Sequence, residues 1–289
     1  MEFFQHYAQG PIEVIGRGME GIVYDLGGDL VGKSWFNRSA AEVEPLRAFL
    51  TEVSSQRLPL STPEIQAVGE VDGRAVSVEK RLAGTPLRDA IESGRVSRDQ
   101  GLDLFVELVT ALGTTSASAA SRAMPVVEEQ LPLYSTAETS WGEALADLVL
   151  RRAAVSRKLL AEDVPGFDDV VTSVVERLKE IVVDQLSIVH GDICQPNVLV
   201  GEGTALLDWG FFSTAGDNTF DAATAAGFFD MYGPDAETLD AELLDRFEDL
   251  GHSRERMKLY RAAYAIITAT IYHSTTRDGH YHWCLRHLR

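Results

Sequence analysis

Between residues 12 and 78 the apolar positions fall in short runs broken by glycine: IEVIGRG, GIVYDLGG, LVGKSWF, AVGEVDG and RAVSVE. Alternation of this kind with glycine at the breaks predicts an antiparallel sheet. One segment departs from it. In AAEVEPLRAFLTEVSSQ, residues Val43, Leu46, Leu50 and Val53 recur at helical spacing behind a capping residue, Ser39. Pro45 removes a helical hydrogen bond, which predicts a first turn starting nearer Glu44. Past LAGTPL (82–87) the period changes, and helices are predicted over Leu102–Leu112, Ser140–Leu160, Asp168–Ile181, Ala236–Leu250 and Arg254–Tyr272. Two short strand-like stretches, IVHGDICQPNVLV (188–200) and TALLDWGFF (204–212), lie among them. No internal repeat or low-complexity linker is present. The fold class expected is α+β and bilobal: a small antiparallel β lobe over 1–82, a connector near Lys80 to Gly84, and a larger, mainly helical lobe over 83–289. Clefts between two such lobes are common ligand sites.

Composition narrows the classes. The chain has 289 residues, 45% of them hydrophobic, enough for a substantial core. Its longest apolar stretches are short or interrupted, so no membrane span is expected, and MEFFQHYAQGP has no secretory pattern. Two cysteines, Cys194 and Cys284, make no disulfide framework and fit a cytoplasmic protein. A net charge of −18 argues against nucleic-acid phosphates as partners and would concentrate cationic ligands.

Several polar residues interrupt otherwise buried patterns. VIGRGMEGIVY places Gly16, Gly18 and Gly21 in a G-x-G-x-x-G followed by Val23. A helix should follow a dinucleotide-binding version of this motif, but a strand, GIVYDL, follows instead. Strand, glycine turn and strand form the phosphate-covering flap of protein kinases, in which a lysine on a following strand meets the α and β phosphates. Lys33 occupies that position, and Glu42, on the core-facing side of the next helix, is the expected carboxylate partner for it. Within 188–200, His190, Asp192 and Asn197 are costly to bury without partners. Phosphoryl transfer needs an aspartate beside the attacking hydroxyl, a task for Asp192, and oxygen ligands for Mg²⁺, which Asn197 and Asp208 can provide.

HGDICQPNVLV and LLDWG resemble the catalytic and metal-binding loops of the aminoglycoside phosphotransferase family, small-molecule kinases with a protein-kinase-like fold. His190, Gly191, Asp192 and Asn197 match H-G-D-x-x-x-x-N; Asp208, Trp209 and Gly210 match the second motif; the likeness runs from Gly16 to about Phe229. The resemblance implies transfer of the γ-phosphate of ATP, with GTP as an alternative, to a hydroxyl of a small acceptor. It implies Asp192 as base, His190 as a brace of its loop, Asn197 and Asp208 as Mg²⁺ ligands, and Lys33 paired with Glu42. Backbone groups near Lys80 and Leu82 would meet the base. AGDNTFDAA (215–223) resembles a further family stretch, in which Asp217 and Asp221 would anchor loops. Together with the acidic charge, it implies a cationic hydroxylated antibiotic as acceptor, an aminoglycoside or a basic cyclic peptide, and a role in resistance or self-protection. Macrolides, nucleoside antibiotics, choline, homoserine and sugars are the alternatives, and the protein is expected to be a monomer or homodimer. For the acceptor region, Trp141, Asp230, Tyr232, Asp235 and Glu237 are candidates.

Two rivals belong to other classes. A non-catalytic nucleotide-binding module would have lost one of Lys33, Asp192, Asn197 or Asp208, and all four are present. A metal protein could use His280, His282, Cys284 and His287, but their spacing matches no structural zinc pattern.

Overall fold

The computed structural model describes residues 2–18, 20–127, 129–272 and 276–289. A short helix, α1 (Glu2–Gln5), precedes β1 (Glu13–Arg17), β2 (Gly21–Gly27) and β3 (Leu30–Trp35). After α2 (Ala40–Ser55), β4 (Ile65–Val71) and β5 (Arg74–Lys80) complete an antiparallel sheet in the order β1-β2-β3-β5-β4. Its two faces are used differently. Phe4 of α1 packs with Leu26, Val76 and Val78 on one face. Gly32 lies on the same side, where an added Cβ would come within 2.7 Å of the Phe4 ring. The opposite face carries Val23, Lys33 and Ser77, which are in register across β2, β3 and β5.

Helix α2 begins at Ala40, four residues before the expected start. Ser39 and Glu42 form a capping box, with the Ser39 N–H and Oγ both donating to Glu42 Oε2 at 2.8 and 2.7 Å. Pro45 therefore sits inside the helix. Its cost, about 3 kcal/mol, is offset by burial of Val43, Leu46, Phe49, Leu50 and Val53, each contributing roughly 1.5–3 kcal/mol.

The rest of the chain runs β6 (Thr85–Pro86), α3 (Leu87–Glu92), α4 (Arg98–Gly113), α5 (Ala119–Arg122), α6 (Trp141–Asp163) and α7 (Phe167–Lys179). Then follow β7 (Ser187–Val189), β8 (Val198–Val200), β9 (Thr204–Leu206), β10 (Thr214–Gly216), α8 (Asn218–Phe228), α9 (Ala236–Asp249), α10 (Arg254–Thr268) and α11 (Gly279–Arg286). All five long helices expected from the periodicity are present, with ends shifted by a few residues. Strands β7 and β10 pair, and β6, β8 and β9 form a second small sheet.

The apolar stripe of α2 merges with the helical core rather than with the sheet alone. Phe49 packs on Trp209 with ring centroids 5.8 Å apart. Glu52 accepts the N–H groups of Ser118 and Ser121, both at 2.8 Å, which fastens α2 to α5. Among the described residues no helix is long and apolar enough to cross a membrane.

Candidate active site

The segment 188–200 is a strand, a loop and a strand: β7 ends at Val189, one tight turn spans Gln195–Asn197, and β8 begins at Val198. Asp221, fully buried in the first turn of α8, organises the loop by accepting the N–H groups of His190 at 2.9 Å and Gly191 at 2.7 Å. Gly191 has φ +74°, and an added Cβ there would run into the Phe212 side chain, so only glycine fits this bend. Asp217 caps α8 through the Thr219 N–H at 2.9 Å and takes the Tyr260 hydroxyl at 2.7 Å. Both aspartates anchor structure, as the sequence indicated.

His190 is fully buried, and burial pushes its pKa down to about 4. The neutral ring donates from Nε2 to the Leu207 carbonyl at 2.9 Å, which leaves Nδ1 to accept the Asp192 N–H at 3.1 Å. Leu207 in turn donates its N–H to the Asn197 carbonyl at 2.7 Å. Ser213 Oγ accepts the Gly210 N–H at 2.9 Å and donates to the His190 carbonyl at 3.2 Å. The two motif loops are thus cross-linked at three points and hold Asp192, Asn197 and Asp208 along one cleft.

Asp208 adopts φ +58°, in the left-handed region that aspartate tolerates better than most residues. Burial raises its carboxyl pKa, and the Lys33 charge opposes the rise. Asp192 is pushed up to about 7, first by burial and then by the Asp208 charge. Asn197 Nδ2 donates to the Asp192 carbonyl at 3.0 Å and to Asp192 Oδ2 at 3.2 Å, so Asn197 Oδ1 is left to meet a ligand. Two repelling carboxylates beside an amide oxygen are a hard-oxygen donor set that suits Mg²⁺. Among the described residues no group of three or more His, Cys, Asp or Glu side chains could hold a metal ion. A divalent ion here would need oxygens from a bound phosphate as well.

In the glycine hairpin, Gly16 pairs with Val23, and Val23 faces Lys33 across β2 and β3. Gly21 has a structural reason of its own, because a Cβ there would overlap the Ser34 carbonyl oxygen. Among the described residues nothing lies within 4 Å of a Cβ built on Gly18. Its N–H closes the hairpin on the Gly21 carbonyl at 3.0 Å and is not offered to a ligand.

Lys33 lies on β3 in register with Val23, and its carboxylate partner is not Glu42. Lys33 Nζ lies 3.1 Å from Glu20 Oε2, and Arg38 Nη2 lies 2.7 Å from Glu20 Oε1. Glu42 is committed to the Ser39 cap, whose backbone N–H, followed by its hydroxyl, holds the carboxyl below its usual range. The sequence placed Glu42 on the core side by counting from Leu46, but a residue in the first helical turn lies beside unpaired backbone N–H groups that compete for it. In the connector the Lys80 N–H donates to the Glu64 carbonyl at 3.0 Å and is not offered to a ligand. The Leu82 N–H makes no hydrogen bond among the described residues and is free to donate to a ligand.

The cleft holds about 570 Å³, and α3, the end of α8 and α11 contribute to its wall. Of the acceptor candidates, Asp230 and Tyr232 line it. Trp141 is buried and donates to Tyr260, Asp235 pairs with Arg98, and Glu237 points to solvent. Sequence reading missed Arg88, Glu92, Tyr264 and Tyr272 and named His280 only as a candidate metal ligand; all five also line the cleft. Arg88 and Glu92 follow the connector directly, a signal that was available; the other three come from distant segments without a motif. His280 and Cys284 are buried side by side on α11, with His280 Nε2 2.9 Å from Thr268 Oγ1, which makes them packing residues. Cys194 lines the cleft with its thiol pKa pushed up by burial, so it is a poor nucleophile.

A family model described as the phosphotransferase enzyme family matches residues 12–260. No curated protein matches the sequence. Among solved structures, a thermostable mutant of aminoglycoside phosphotransferase APH(4)-Ia, in ternary complex with ADP and hygromycin B, superposes with TM-score 0.71 at 16% identity, covering 99% of this chain and 95% of that one. The GDP complex of aminoglycoside 2'-phosphotransferase-IIIa gives 0.64 at 14%, covering 100% and 93%. A choline/ethanolamine kinase family protein from Mesorhizobium loti gives 0.58 at 19%, covering 100% and 88%. At these identities the superpositions establish a shared fold, and the family match carries the assignment: the chain belongs to the phosphotransferase enzyme family, as a small-molecule kinase with a hydroxyl as acceptor.

Proposed function

We propose that the protein transfers the γ-phosphate of ATP, with GTP as the alternative donor, to a hydroxyl of a cationic small molecule. Convergence of Asp192, Asn197 and Asp208 on one cleft of about 570 Å³ is the observation that carries this reading. Asn197 Oδ1 and Asp208 would hold Mg²⁺, which would neutralise charge on the phosphates and draw both carboxylates toward their ionised forms. Asp192 accepts a hydrogen bond from the acceptor hydroxyl and orients it for in-line attack; the neutral His190 keeps that loop in place. Lys33, under the glycine hairpin, meets the phosphates, and the Leu82 N–H is the donor for the base. Little covalent work falls to the side chains, in keeping with a loose transition state.

A basic, hydroxylated antibiotic fits the net charge of −18 and the Glu92 and Asp230 carboxylates in the cleft. The neighbour bound to hygromycin B supports the same class, and with it a role in resistance or self-protection. A second reading is favoured by the wall where Phe228, Phe229, Met231, Tyr264 and Tyr272 meet the cleft. That wall suits an acceptor with one cationic centre and an apolar face, such as choline or a macrolide. ADP release measured with hygromycin B, kanamycin, a basic cyclic peptide, a macrolide and choline separates the readings. Stimulation by the polycations alone supports the first, stimulation by the amphiphiles alone the second. Full activity of Asp208→Ala with Mg²⁺ would remove the metal assignment.

A further inference from the structure

Strands β3 and β5 pair so that Lys33 faces Ser77 and Val31 faces Glu79. Lys33, Ser77 and Glu79 therefore share one face of the sheet, with Glu79 diagonal to Lys33 and within reach of two long side chains. Trp35, two residues beyond Lys33, lies on the same face. Its Nε1–H donates to Ser77 Oγ at 3.0 Å, and Ser77 Oγ–H donates to Glu79 Oε1 at 2.6 Å. This relay fixes the Glu79 carboxylate by one oxygen. Among the described residues Glu79 Oε2 accepts no hydrogen bond, and no fully buried side-chain oxygen lacks a partner, so Oε2 keeps an open side. Burial raises the Glu79 carboxyl pKa, and the Lys33 charge is the main influence opposing the rise. A carboxylate in such a place is costly unless a cation meets it.

Glu20 stands on the glycine hairpin, where a triphosphate must enter. Its two oxygens bridge Lys33 Nζ at 3.1 Å and Arg38 Nη2 at 2.7 Å, while Lys33 Nζ rests 3.6 Å from the centroid of the Trp35 ring. A carboxylate shared by two cations occupies an anion site with the chain's own anion. Triphosphate oxygens would repel Glu20 and compete for both cations. Lys33 then loses the partner that orients its flexible stem. Glu42 cannot replace it while it caps α2, and Asp208 faces the metal position, which leaves Glu79.

We propose that Glu79 is the positioning carboxylate for Lys33 in the nucleotide-bound protein, and that Glu20 holds Lys33 and Arg38 only until nucleotide phosphate displaces it. This rests on the nucleotide-donor reading given above. Calorimetric titration of the full chain with MgATP and with adenosine, which lacks phosphates, tests both halves. Glu20→Gln should bind MgATP about threefold more tightly and Glu79→Gln about tenfold more weakly, with adenosine affinity unchanged in each. Both effects should vanish in a Lys33→Met background. Ser77→Ala, which frees the Glu79 rotamer, should weaken MgATP in the same direction by about half as many decades, and it carries the test if Glu79→Gln fails to fold. MgATP binding by Glu79→Gln at wild-type strength, an equal loss of adenosine binding, or effects that persist without Lys33 would each overturn the proposal. Failure of the unmodified protein to bind MgATP would overturn the donor reading and this proposal with it.

Discussion

At neutral pH a buried imidazole held near pKa 4, bonded through both ring nitrogens, cannot accept a proton from an alcohol, whereas Asp192 beside it commits only Oδ2, to Asn197, and keeps Oδ1 free of hydrogen bonds among the described residues. Asp192→Asn should therefore lower turnover by about 10²–10⁴-fold while MgATP still binds, as single-turnover transfer and titration would read. Retained turnover would move the base elsewhere. His190→Leu should act through the fold: it removes the donor that meets the Leu207 carbonyl and should cost on the order of 1–3 kcal/mol in urea unfolding. Glu42 separates two roles that sequence could not. Glu42→Ala should lower stability by about 1 kcal/mol, the usual value of a helix cap, and leave the MgATP dissociation constant where it was. A large loss of MgATP affinity in that variant would restore Glu42 as the partner of Lys33.

Among the elements, the loop between β7 and β8 depends on one backbone bend. Gly191→Ala combines a left-handed φ with a clash against Phe212, so it should destabilise by about 2–4 kcal/mol and reduce activity beyond what the loss of folded protein explains. Thermal unfolding and activity per folded molecule, measured together, check this. The helices were legible because buried faces impose their period on the chain: Val43, Leu46, Leu50 and Val53 mark α2, and the same rule found α4, α6, α7, α9 and α10. The end of α10 was overrun, since Tyr272 continues the apolar count after the helix has stopped at Thr268. The start of α2 was missed because the Ser39–Glu42 cap and five buried side chains together outweigh Pro45.

For the whole molecule, charge in the cleft couples stability to pH. Asp192 and Asp221 are both pushed up to about 7 by burial, and Asp208 and Glu79 are raised as well. The folded protein keeps protons on Asp192 and Asp221 that the unfolded chain releases above about pH 4. Their contribution is therefore complete below that value and is lost as pH rises through about 7. Asp192 alone accounts for a difference on the order of 4 kcal/mol. In metal-free buffer the unfolding free energy of the native protein should fall from pH 5 to pH 8 more steeply than that of Asp192→Asn. Parallel pH curves for the two proteins would contradict the burial of this carboxylate.

What the sequence determined by itself was everything that follows from local period and local motif. The alternating and helical runs set the elements, and the order of G-x-G-x-x-G, Lys33, H-G-D-x-x-x-x-N and D-W-G set the chemistry, because each is written within a few residues. Tertiary structure decided which charges meet. Glu79 reaches the neighbourhood of Lys33 through strand register and Glu20 from the glycine hairpin, and Tyr264, Tyr272 and His280 reach the cleft from segments more than sixty residues beyond Asp192. Such meetings depend on how elements stack in space, and no local pattern in the chain encodes them.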